Sequence, residues 1–121
     1  MNLKSQTTIL LLGDDIALSY LIGRLAELGG YQLTTPPKDL SIKEIVSINP
    51  TVIIFSSIEY LETTQNLVGE LASLDSLVMV CSSVPNEGKA RELGVDFYLQ
   101  HPLTFEVFQA ALTSAGTSKR A

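Results

Sequence analysis

This 121-residue chain holds one cysteine, Cys81, and one histidine, His101. An internal disulfide is therefore impossible, and a Cys- or His-rich metal site has too few ligands. Tryptophan is absent, and charged residues make up only 17%, where about 25% is usual for a globular protein. The scarcer sign is positive: 8 Lys and Arg against 13 Asp and Glu give a formal net charge of −5. A basic groove that tracks phosphates is excluded, so this domain is not expected to bind nucleic acid directly. Long apolar runs are missing too. The first, at residues 9–12, is far too short for a signal peptide or a membrane span, and a soluble protein of the reducing cytoplasm is expected.

What the sequence does have is 45% hydrophobic residues, enough at this length for one domain with an ordinary core. They fall in an alternating pattern. The run TILLL at 8–12 does not alternate with polar residues, as expected of a strand buried on both faces, and it stops at Gly13. Leu18, Leu21, Ile22, Leu25 and Leu28 then recur at helical spacing. Asp15 is placed to cap that helix, and Gly29-Gly30 to stop it. Residues 31–35 predict a brief second strand before Pro36-Pro37. Ser41 and Glu44 form a capping box, with Leu40 and Ile45 as its hydrophobic staple, and Pro50 predicts that this second helix ends near Asn49.

TVIIF at 51–55 and LVMVC at 77–81 repeat the strand signature, ending in Ser56-Ser57 and Ser82-Ser83. Between them Leu61, Leu67, Val68, Leu71 and Leu74 predict one helix. A short fourth helix is predicted from about Pro85 to Leu93, a last strand at Tyr98-Leu99, and a fifth helix from Thr104 with Phe105, Phe108, Ala111 and Leu112 on one face. Five strands alternating with five helices imply an α/β fold of three layers, a flavodoxin-like parallel sheet of order 2-1-3-4-5. Residues 1–112 are assigned to this domain and 113–121 to a polar tail or the start of a linker. The crevice of such a sheet lies at the carboxyl ends of its strands.

With these elements in place, the chain resembles the receiver domain of bacterial response regulators over nearly its whole length. ELGVDFYLQHPL at 92–103 is similar to that family's segment around its last strand, and the acidic pair Asp14-Asp15 and Pro50 add to the likeness. The resemblance implies a site of adjacent acids that bind magnesium, an aspartate that accepts a phosphoryl group, a Ser or Thr after the fourth strand, and a lysine before a proline. Oxygen ligands, a divalent cation and a lysine together offset the charge on a transferring phosphoryl group.

Carried over position by position, that set is incomplete here. The first acid aligns with Gly13, the acceptor with Ser56 and the lysine with His101. Asp14 is kept, Asp15 reads as a helix cap, and Ser82 and Tyr98 match the Ser/Thr and the switch aromatic. The expectation is a pseudo-receiver, with the fold retained and phosphoryl chemistry lost. The spacing from Ser82 to Gly94 is also shorter than the family's by nearly one turn of 3.6 residues, which predicts a shortened fourth helix.

Several of these residues carry a plainer reading. Asp14 is a remnant metal ligand at best; an acid there also stabilises a helix N-terminus without any ligand. Ser56 is a candidate for a serine kinase or, more simply, a strand-end hydroxyl that satisfies a backbone group. His101 either titrates near neutral pH or fills the lysine's place beside Pro102, and the resemblance implies a cis bond between the two. Cys81 and His101 invite a nucleophile and base reading, but a cysteine within an apolar strand is usually inert. Phe97 is either an exposed anchor near Lys89, Arg91 and Glu106 or a ring tucked over the shortened fourth helix.

The function expected is a phosphorylation-independent signalling module, the regulatory domain of a response or transcription regulator. It would act by docking or homodimerising through the face of the fourth helix, fifth strand and fifth helix, including Phe97, Tyr98, Pro102, Phe105 and Glu106. No cofactor, metal or enzymatic activity is expected. The alternative is a flavin- or nucleotide-binding flavodoxin-like protein, although carboxylates after the first strand stand where a phosphate would sit. Because three lost site charges explain little of the overall shortage, the helix exteriors are expected to be comparatively apolar.

Overall fold

Each apolar run becomes a strand of one parallel sheet. A computed structural model describes residues 8–13, 15–34, 41–71, 76–82, 87–100 and 103–120. They form β1 (Thr8–Leu12), α1 (Ile16–Gly29), β2 (Gln32–Thr34), α2 (Ile42–Ile48), β3 (Val52–Phe55), α3 (Ile58–Thr63), α4 (Gln65–Leu71), β4 (Leu77–Ser82), α5 (Glu87–Glu92), β5 (Phe97–Gln100) and α6 (Phe105–Arg120). The strand order is β2-β1-β3-β4-β5 and every pairing is parallel. This is the flavodoxin-like order the sequence implies.

The inner strands are apolar throughout because both of their faces are covered. Ile9 and Leu11 of β1, with Val52 and Ile54 of β3, enter a core beneath α1 and α6. Leu10 and Leu12, with Ile53 and Phe55, enter a second core beneath α2, α3 and α5. Phe55 and Phe108 are among the largest fully buried side chains, one in each core.

The local start and stop signals form as their chemistry requires. The Asp15 carboxylate accepts from the Leu18 N–H at 2.9 Å, and α1 stops at Gly30, left-handed at φ 75°. Ser41 and Glu44 complete the capping box: the Ser41 hydroxyl accepts from the Glu44 N–H at 3.3 Å, and the Glu44 carboxylate accepts from the Ser41 N–H at 3.2 Å. Asn49 takes the left-handed cap position at φ 53°. Ile45 of the staple is buried, whereas Leu40, like Pro36, Pro37, Leu74 and Pro85, lies outside the described residues.

Four details differ from the periodicity reading. The helix predicted after β3 is broken at Thr64 into α3 and α4. The Thr64 hydroxyl donates to the Tyr60 carbonyl at 2.9 Å, and Thr63 donates to the same carbonyl at 2.8 Å, which draws that acceptor into local bonds that favour a break. The final helix runs past Gly116 to Arg120, through residues read as a polar tail. α5 ends at Glu92, one residue before the predicted Leu93. Lastly, Leu28 is not in the core but 68% exposed. Its expected place is taken by Tyr31, whose N–H reaches back to the Ala26 carbonyl at 2.9 Å and whose ring meets Phe108 edge-on, centroids 6.1 Å apart.

Candidate functional site

β1 and β3 reach the carboxyl edge of the sheet in step, Leu12 lying opposite Phe55. The Ser56 N–H continues the ladder by donating to the Leu12 carbonyl at 2.9 Å. Ser56 is only 1% exposed, and its hydroxyl accepts from the Asp15 N–H at 3.4 Å. Gly13 turns away at φ 127°, a conformation that side-chain-bearing residues rarely adopt. The space its side chain would need is filled: a Cβ there would lie 3.2 Å from the Ser56 backbone nitrogen and collide with the Ser56 hydroxyl. Gly13, Asp15 and Ser56 therefore form one packed corner in which the serine hydroxyl stands where a larger group at position 13 would go.

Among the described residues, that corner has few donors for a divalent cation. Among the described residues it offers one carboxylate, Asp15, with an oxygen already committed to the cap of α1, and one buried hydroxyl. Magnesium asks for a near-octahedral oxygen shell anchored by carboxylates, and these donors do not fit it. Among the described residues no cluster of three or more His, Cys, Asp or Glu is placed to hold a metal ion. Asp14, His101 and Pro102, including the isomer of the His101-Pro102 bond, lie outside the described residues.

Cys81 sits one strand further on, fully buried. Burial, with a smaller contribution from the Asp15 charge, raises its thiol to a pKa of about 11. A nucleophilic cysteine needs the opposite shift, so its surroundings suit a core residue. Ser82 ends β4 opposite Gln100 at the same edge of the sheet.

Phe97 is half-buried, and its covering comes from an unexpected side. It lies opposite Met79 and packs against the core beneath α1 and α6, not over α5. Alternation along β5 explains this: Phe97 and Leu99 face one layer, while Tyr98 faces the other. Phe105 packs against the same core as Phe97, and Glu106 is exposed in the first turn of α6. Lys89 pairs with Glu62 at 3.2 Å, joining α5 to α3, and Arg91 is exposed in the last turn of α5.

The apolar surface lies mostly elsewhere. Ile16 is 85% and Tyr20 71% exposed; with Leu28 they put three large apolar side chains on the outside of α1. Val107 of α6 and Val46 of α2 are also exposed. An open groove beside them, about 420 Å³, runs between Tyr20, Arg24 and Glu27 on one side and Tyr31 and Leu33 on the other. Sequence reasoning missed this surface because it followed the buried stripe of α1; Ile16 and Tyr20, one turn apart and off that stripe, were the available signal.

No family model matches the sequence, and no curated protein matches it. Solved structures do match the fold. A response regulator from Chloroflexus aurantiacus superposes with a TM-score of 0.75 at 12% identity, over 92% of this chain and 98% of that one. A response regulator receiver protein from Burkholderia phymatum gives 0.73 at 16% identity, over 92% and 95%. A pilus assembly-related protein from Burkholderia pseudomallei gives 0.71 at 16% identity, over 97% and 94%. The chain thus has the fold of response regulator receiver domains, and at these identities the likeness speaks for fold and not for chemistry.

Proposed function

We propose that this chain is a receiver-like signalling module that works through protein contacts and does not take up a phosphoryl group. The observation that carries the reading is the packed corner of Gly13 and Ser56. A serine cannot form an acyl phosphate, and here its hydroxyl already holds the start of α1 through Asp15. Phosphoryl transfer needs preorganised cationic and metal-held charge at the transferring group, which the described donors do not supply. No catalytic role is assigned to any of them. The module would regulate by binding, in the manner of the regulatory domain of a response or transcription regulator, with output carried by the protein it contacts or is joined to.

Incubation with magnesium and acetyl phosphate, followed by intact-mass measurement, tests this directly. An unchanged mass is expected; a stoichiometric added phosphoryl group would overturn the reading. The flavin or nucleotide alternative gains nothing from the geometry, since the Asp15 carboxylate already occupies the N-cap of α1, where a phosphate would bind.

A further inference from the structure

We propose that the outward face of α1 is a self-association surface on which two copies of this chain pair antiparallel across a two-fold axis. A surface helix normally turns polar residues outward. α1 instead presents Ile16, Tyr20 and Leu28, each more than two-thirds exposed at 85%, 71% and 68%, and they mark the start, middle and end of a 14-residue helix. Scattered single exposures would need no explanation. Three along one helix, with exposed Val107 in the same layer of the fold, make an unusual concentration for a chain whose opposite layer shows only Val46 among the described residues. Aromatic side chains such as Tyr20 are enriched in interface cores.

The charges on α1 point to the occupant. Arg24 and Glu27 are the charged residues of the helix; both are exposed, and neither has an ion-pair partner among the described residues. They are opposite in sign and stand one turn apart on the apolar face. A helix carrying this pattern is complementary to itself when reversed: antiparallel pairing centred between Leu25 and Ala26 brings Arg24 of each copy within reach of the partner's Glu27 and covers Leu28 and Tyr20, with Ile16 at the rim beyond the partner's helix end. Such an isologous contact closes at two copies and leaves no face for further growth. This surface is distinct from the one formed by α5, β5 and α6, where Phe97 and Phe105 are turned into the core.

Sedimentation equilibrium on the whole chain, over a wide range of concentration, tests the proposal. A reversible dimer is expected. Arg24→Glu and Glu27→Arg should each raise the dimer dissociation constant at least about tenfold, because like charges then face one another across the interface. The double variant Arg24→Glu/Glu27→Arg should regain wild-type association, which a general loss of fold would not produce. Tyr20→Ala, checked for unchanged far-ultraviolet circular dichroism, should weaken the dimer by a similar factor. A wild-type chain that stays monomeric throughout would overturn the proposal, and so would a dimer indifferent to both charge reversals or a double variant that does not recover. None of these outcomes bears on phosphoryl uptake, so the two readings fail separately.

Discussion

Ser56 closes the space beside Gly13: its hydroxyl occupies the direction in which a side chain at position 13 would point. An aspartate placed at position 13 would bring its Cβ against Ser56 first, and the serine would have to shift. The two positions form one packing unit, and adding a side chain at position 13 should cost stability. Gly13→Ala should destabilise by about 2 kcal/mol or more, combining strain at φ 127° with the collision. In a Ser56→Gly background the same change should cost less, because only the backbone strain remains. A double-mutant cycle by urea unfolding checks this, and a coupling near zero would contradict the packed corner.

Cys81 supplies a pH signature. Its thiol is raised from 9.0 to about 11 in the folded chain, by burial first and then by Asp15. Between these values the unfolded chain loses a proton that the folded chain keeps, so stability is full below pH 9 and falls as pH rises toward 11. Cys81→Ala should start from a lower stability and lose less of it over that range. Thermal unfolding of both proteins across the window reads the difference. At neutral pH the native thiol should resist alkylation and react only on unfolding.

Phe97 and Tyr20 should separate stability from association. Phe97→Ala removes a ring packed against the core and should cost about 2 kcal/mol in urea unfolding, leaving dimer formation unchanged. Tyr20→Ala, at a position 71% exposed, should change monomer stability by no more than about 0.5 kcal/mol. The reverse pattern would place the partner surface on β5.

Ser41→Ala removes one half of the capping box and should cost about 1 kcal/mol. Glu44→Ala in that background should cost less than alone, since each residue serves the other's backbone N–H. Chemical denaturation of the four proteins measures the coupling.

Much of the fold was legible because its signals are local. The runs at 8–12, 51–55 and 77–81, the cap at Asp15, the capping box at Ser41 and the stop at Asn49 each depend on a few neighbouring residues. What escaped was decided by tertiary contact. Leu28 fits the apolar period of α1, but the left-handed turn at Gly30 brings Tyr31 back against the helix end and leaves Leu28 outside. The break at Thr64 arises from two threonines competing for one carbonyl. The resemblance set Gly13 and Ser56 where a receiver would carry acids. That a side chain at position 13 would run into Ser56 needed coordinates.

Asp96 fastens the start of the edge strand β5 to β4. Its N–H donates to the Val78 carbonyl at 2.7 Å, while its carboxylate accepts from the Val78 N–H at 2.9 Å. A side chain thus closes the rung where another backbone carbonyl would otherwise extend the ladder. A slipped β5 would lose both bonds to Val78, which favours this one alignment with β4. β5, one of the two outermost strands, thus begins at Phe97, and a short edge strand is a poor template for stray strand addition from another molecule. An aspartate that looks like an ordinary loop residue thereby sets the register of β5 on β4.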